Sequence, residues 1–297
     1  MAALFWLSLI AADGLLAILG TELLVVRMKL PVWSAPVLAG AVFLLLPWAF
    51  MAGSVLLRAR PGSVRSGALW RTVLTEPLYA TLVIARMVVE PWRSTPSSRA
   101  PEAGPVRPVL LLHGILCNRG IWRGWLRELR AAGFAPVRSL DLEPLLGDLD
   151  AHAARVTRAL AALQRESRGA RVDVLAHSMG GLIARAALPL VGPQTIRRIV
   201  TLGSPHHGTR VAGHYPSAPA RQMRPDSPWL ARLNAAQEEH WPVPVTSIYS
   251  LEDNLIVPAS SARLAGADCR ALRGIGHLGL LCSHAARRCA LAALGAG

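Results

Sequence analysis

The hydrophobic rhythm of the chain changes near residue 106. Before that point it runs in long blocks. Residues 1–26 are apolar apart from Asp13 and Glu22, and the block ends at Arg27-Met28-Lys29. Residues 36–57, PVLAGAVFLLLPWAFMAGSVLL, hold 22 positions without a charge. A membrane-crossing helix takes about 20 such residues at about 1.5 Å each. Residues 1–60 are therefore predicted to form a transmembrane helical hairpin. The carboxylates in the first block carry a mid-membrane cost of about a few kcal/mol each, so its alternative reading is a signal-like or interfacial helix. A cleaved signal peptide fits poorly, because no basic stretch precedes the apolar run. Residues 68–92 are apolar but broken by Arg71, Glu76, Pro77 and Arg86, which predicts an interfacial amphipathic helix rather than a third span. The stretch 91–108, PWRSTPSSRAPEAGPVRP, has linker composition.

Beyond residue 106 short apolar runs alternate with helical spacing. Strands are predicted at PVLLL (108–112), PVRSLDL (136–142), VDVLA (172–176), RIVTLG (198–203) and VTSIYS (245–250). Helices are predicted over 121–133, 149–167, 179–188 and 279–294. Apolar strands alternating with helices imply a mostly parallel sheet with helices on both faces. The domain expectation is thus an anchor over 1–60, an interfacial helix and linker over 61–105, and an α/β domain over 106–297.

Charge does not redirect this picture. The net charge is +14, which would suit a nucleic-acid binder. Yet the basic residues are nearly all arginine, with Lys29 the sole lysine, and they are scattered without any nucleic-acid-binding signature. A basic surface facing anionic lipid is the better reading, and no nucleic-acid partner is expected. Cys117, Cys269, Cys282 and Cys289 form no CxxC pair, so no metal site is expected and the disulfide state stays open. Cys282 and Cys289, seven apart, are expected on one helix face.

Four segments carry candidate chemistry. In VDVLAHSMGG (172–181) a strand ends, Ser178 follows and a helix begins, with small residues at Ala176 and Gly180. A nucleophile elbow needs small neighbours because the turn is strained and crowded. The helix N-terminus behind the serine favours developing negative charge. In VLLLHGILCNRGIW (109–122) a strand runs into His113-Gly114. SIYSLEDNLIVP (247–258) places Asp253, with Glu252 as its competitor, just beyond a strand end. In GIGHLGLL (274–281) glycines flank His277. The adjacent His206 and His207 lack a third ligand at metal spacing and are read as part of a substrate-side loop, with 205–240 as a small cap.

These segments together resemble the α/β-hydrolase superfamily, in particular bacterial lipases and esterases. The usual elbow is G-x-S-x-G. Here Ala176 replaces the first glycine, as in the bacillus-type minimal lipases, whose catalytic histidine also lies in a stretch close to GIGHLGLL. The resemblance covers about residues 106–295. It implies an α/β-hydrolase fold with Ser178, Asp253 and His277 as triad, in the chain order this fold uses. It implies backbone N–H groups of Ile115 and Met179 as oxyanion hole. It favours Asp253 over Glu252 and makes His113 structural. The expected function is a membrane-anchored carboxylic ester hydrolase working without a cofactor on an ester or lipid. An acyltransferase with the same triad and a non-catalytic membrane scaffold remain the alternatives. Oligomeric state is left open. Arg58, Arg60, Arg65 and Arg71 after the second span outnumber Arg27 and Lys29 before it, which places the catalytic domain on the cytoplasmic side of a bacterial inner membrane.

Overall fold

A computed structural model describes residues 2–28, 34–57, 67–90, 106–236 and 241–295. The linker expected over 91–108 lies mostly outside them, as do Lys29, Arg58, Arg60 and Arg65 of the charge argument. Three long helices come first: α1 (Ala2–Met28), α2 (Ser34–Leu57) and α3 (Gly67–Val89). α1 packs along α2, and α2 along α3.

The α/β part is built on β1 (Val109–Leu112), β2 (Val137–Leu140), β3 (Val172–His177), β4 (Ile196–Leu202), β5 (Val245–Ser250) and β6 (Asp268–Leu272). They form one six-stranded sheet in the order β2-β1-β3-β4-β5-β6, parallel throughout. α4 (Arg123–Ala131), α5 (Leu149–Glu166), α6 (Met179–Val191), α9 (Gly279–Cys282) and α10 (His284–Gly295) cover its faces. α7 (Ala218–Gln222) and α8 (Pro228–Ala235) fill the connection from β4 to β5.

Strand alternation separates the two cores. Leu110, Leu112, Val174 and Ala176 point toward α5 and α6. Val109, Leu111, Leu175 and Val200 point toward Trp125 and Leu129 of α4 and Ala290 and Leu294 of α10. Both faces being covered is why these strands read as continuous apolar runs. β6 lacks such a run and was not predicted. It is a half-exposed edge strand, DCRAL, whose Asp268 and Arg270 pair on its surface at 2.7 Å. The single helix expected over 279–294 is split at Ser283, whose backbone is extended at φ −65°, ψ 132°. Cys282 and Cys289 therefore sit on separate helices, and all four cysteines are free thiols.

α3 departs most from its expected place. One face, Leu69 and Val73, packs on Val55 of α2. Farther along, Val83 and Met87 are buried in the same cluster as Trp122, Trp125 and Leu281. The core of the α/β domain thus takes in a helix that precedes residue 106. The opposite face of α3 exposes Trp70, Leu74, Leu78 and Leu82 at four-residue spacing. Among the described residues, Ala2–Leu23 and Gly67–Val89 are long and apolar enough to cross a membrane. α2 contains no charged residue over its 24 positions. α3, with Glu76 and Met87 turned into the protein, is a core helix on one side and an apolar stripe on the other.

Candidate active site

Strand order reverses between β1 and β3, so their following connections diverge and leave a crevice at the strand ends. Ser178 stands there, between β3 and α6, with φ 55° and ψ −127°. A non-glycine residue at positive φ costs of order 1–3 kcal/mol and persists only where packing enforces it. Here the enforcement is visible at Gly180. A Cβ on it would lie 2.6 Å from the Leu112 carbonyl oxygen and 2.8 Å from that of His113. α6 is pressed against the end of β1, and the elbow has no room to relax. Gly180→Ala is expected to cost about 1–3 kcal/mol through overpacking, read as a lowered Tm of the purified protein. An unchanged Tm would mean that the crowding is not what holds the turn.

The loop after β1 meets the elbow equally closely. A Cβ on Gly114 would be 2.9 Å from Ser178 Cβ. Ile115, half-buried, follows directly, and Met179 is the first residue of α6, where backbone N–H groups have no partner within the helix. His113 is buried and fully engaged: Nε2 accepts from the Leu142 N–H at 3.0 Å and Nδ1 faces the Gly114 carbonyl at 2.9 Å. Accepting at Nε2 leaves the proton on Nδ1, and burial depresses its pKa. The approach of Asp141 to within 3.8 Å is accordingly not an ion pair. His113 shapes this loop, as the sequence suggested.

The other two expected residues are hydrogen-bonded to each other. His277 Nδ1 lies 2.9 Å from Asp253 Oδ2. Asp253 Oδ1 accepts the N–H groups of Leu255 and Ile256, both at 2.8 Å, so the carboxylate is oriented from both sides. Burial works against a charged His277, but the charge and hydrogen bond of Asp253, with Glu76 behind them, outweigh it and hold the pKa above the ordinary histidine value. The His277 ring stacks at 4.6 Å, tilted, on His177, the residue before Ser178. His177 is kept neutral, chiefly by burial and then by the charge of His277. Glu252 points elsewhere, accepting the Gly274 N–H at 2.8 Å.

His206 is not on a substrate-side surface. It is buried, 3.1 Å from Thr201 Oγ1 and 3.4 Å from an Arg185 nitrogen, inside the protein. His207 is exposed. Among the described residues no group of three His, Cys, Asp or Glu side chains could hold a metal ion. The described part of the 205–240 segment is tied to the start of α5: Trp229 Nε1 donates to Asp150, and the Leu149 N–H donates to Gln222 Oε1, both at 2.9 Å.

Two residues that the sequence reading passed over touch the His277 segment. Asn254 Oδ1 accepts the His277 N–H at 3.1 Å, and Glu76 of α3 accepts those of Leu278 at 2.7 Å and Gly279 at 3.0 Å. A lone carboxylate within the largely apolar helix was the available signal, since a buried one must find partners.

Comparison with known proteins agrees with the architecture. A family described as PGAP1-like alpha/beta domain matches residues 149–258, a stretch that includes Ser178 and Asp253 and stops short of His277. No curated protein matches the sequence. Among solved structures, Aspergillus fumigatus lipase B is 22% identical with a TM-score of 0.58, covering 67% of this chain and 56% of its own. This chain thus spans little more than half the length of that lipase. A mature Bacillus licheniformis lipase is 16% identical, TM-score 0.53, covering 63% of this chain and 90% of its own. A phospholipase from Legionella pneumophila is 14% identical, TM-score 0.53, covering 65% and 60%. The chain has the α/β-hydrolase fold, and the similar structures named above are two lipases and a phospholipase.

Proposed function

We propose that the protein is a membrane-anchored serine hydrolase of carboxylic esters, acting on lipid-like substrates through Ser178, His277 and Asp253. The observation that supports this most is that one crevice carries both a strained serine at the sheet's switch point and, on the loop after β6, a buried histidine oriented by a carboxylate. His277 takes the Ser178 proton as Oγ attacks the ester carbonyl. Asp253 holds the imidazole tautomer and stabilises its cationic form. The N–H groups of Ile115 and Met179 receive the oxyanion. The alcohol leaves with the histidine proton, and water then cleaves the acyl-serine by the same groups in reverse. A fluorophosphonate probe should label Ser178 in the parent and nothing in Ser178→Ala. Failure to label would favour the scaffold reading, and ester products formed from an added alcohol would favour acyl transfer.

Membrane attachment rests on where the apolar surface lies. Among the described residues, all exposed large hydrophobic side chains except Leu146, Leu190 and Tyr215 belong to α1, α2 and α3. Such concentration marks a lipid-facing region rather than a scattered soluble surface. Deleting residues 1–60 is expected to release the protein from carbonate-washed membranes, apart from a remnant held by the exposed stripe of α3. A full-length protein recovered wholly in the soluble fraction refutes the anchor. The charge bias of the loops supports a hydrolase on the cytoplasmic side, and alkaline phosphatase activity at a C-terminal fusion would reverse that orientation.

A further inference from the structure

We propose that Glu76 is a positioning residue for His277: from a helix that precedes the α/β domain in sequence, its carboxylate caps the segment that carries the catalytic histidine and ties α3 to the geometry of the site. This rests on the triad reading above and goes beyond it. Three successive N–H groups, of His277, Leu278 and Gly279, open the short α9. Such groups have no partner inside their own helix. All three are taken by residues outside it: His277 by Asn254 Oδ1, Leu278 by Glu76 Oε1 and Gly279 by Glu76 Oε2. Glu76 is itself wholly buried, and its bidentate reach fixes two adjacent peptide planes directly after the histidine.

The loop is shaped to admit this carboxylate. A Cβ on Gly276 would lie 2.2 Å from Glu76 Cδ and 2.3 Å from its Oε2. No other residue type fits position 276 while Glu76 is in place. The rest of α3 secures the same arrangement. Its far end holds the segment that follows the oxyanion loop: Asn118 Nδ2 donates to the Met87 carbonyl at 2.9 Å, and a Cβ on Gly120 would be 2.5 Å from the Arg86 carbonyl oxygen. α3 therefore straps together the histidine side and the oxyanion side of the crevice. α2 joins through Ser54, whose Oγ accepts from Asn254 at 2.9 Å, the same Asn254 that holds the His277 N–H.

Electrostatically Glu76 adds to Asp253 in favouring the protonated histidine. Burial pushes its own carboxyl up to about 7, against the lowering by the Leu278 N–H, the His277 charge and the Gly279 N–H. The ionisable groups facing it are His277 and Asp253 on the catalytic loops and Cys282 on α9. Arg71, Tyr79 and Arg86 share its helix, and α2 brings no charge.

The test uses the full-length protein in detergent, with Glu76→Gln and Glu76→Ala. Turnover of a short-chain ester is measured per serine titrated by fluorophosphonate, so that unfolded material does not count. Glu76→Ala is expected to lower kcat by about 10²-fold through misplacement of the base, with KM little changed. Glu76→Gln, which keeps one acceptor, should recover part of that loss. The acid limb of the pH profile should move at most slightly to lower pH, because a carboxyl raised to about 7 is only partly ionised there and little charge is removed. A purely structural glutamate would lower the yield of titratable protein without moving kcat per titrated serine. Glu76→Ala with kcat within about twofold of the parent, or a Glu76→Gln that recovers none of the kcat lost in Glu76→Ala, overturns the inference while leaving the triad standing. A parent whose Ser178 never labels overturns the triad reading and this inference with it.

Discussion

Ser178→Ala and His277→Ala, each in the full-length protein, are expected to lower kcat by about 10⁴–10⁶. The two losses should be similar and should not add in the double variant, because nucleophile and base act as one unit. Folding should survive both changes. Alanine at φ 55° is no more strained than serine, and the Ser178 backbone stays fixed by its N–H bond to the Leu202 carbonyl at 2.9 Å. The pH dependence of the proposed enzyme follows from the same geometry. His277 must be neutral to accept the serine proton, and Asp253 and Glu76 raise its pKa above 6.5. Activity should therefore be lost as pH falls through a midpoint above that value, and be complete on the alkaline side. Turnover by purified Ser178→Ala comparable to the parent's, with contaminating esterase excluded by mass spectrometry, would sink the assignment.

How much of this was readable in the sequence depends on how local the determinant is. The elbow was legible because strand, serine and helix are contiguous, and Ala176 and Gly180 report crowding that comes from β1. Asp253 and His277 were legible as the carboxylate and the histidine of two loops after successive strand positions, and those loops meet in space at 2.9 Å. β6 was not, since an edge strand needs no apolar run to pair with β5. The break at Ser283 was not, because the sequence on either side favours helix and only a backbone angle ends it. His206 read as surface chemistry because its partners, Thr201 and Arg185, come from β4 and α6 rather than from its own loop.

The role of α3 was the least legible. Periodicity reports that one face of a helix is buried but not against what. Glu76 read as an interruption of an apolar helix, although its partners lie two hundred residues downstream in the segment after His277. Once those bonds are known, the glycines around His277 acquire a second meaning: they make room for a carboxylate as well as presenting an imidazole. A hydrolase cut at residue 106 would lose Val83, Met87 and Glu76 together, removing core volume and the cap on the histidine segment in one step.

Asp253→Asn is expected to lower kcat by about 10⁴-fold with KM little changed. Asp253 Oδ1 already accepts two backbone N–H groups, from Leu255 and Ile256, so an asparagine in this site keeps its carbonyl oxygen there. Its amide nitrogen then faces His277 Nδ1 and donates to it. The imidazole must take the opposite tautomer, with the proton on Nε2, and can no longer accept one from Ser178. The charge that stabilises the imidazolium is lost at the same time, so the acid limb should also move to lower pH. Glu252→Gln provides the contrast. Glu252 accepts the Gly274 N–H, which a glutamine oxygen can also do, and it is not among the groups that shift the His277 pKa. Its kcat should stay within about tenfold of the parent. If Glu252→Gln is the crippling change and Asp253→Asn is tolerated, the carboxylate has been assigned to the wrong neighbour, and the hydrogen bond between Asp253 and His277 is structural rather than catalytic.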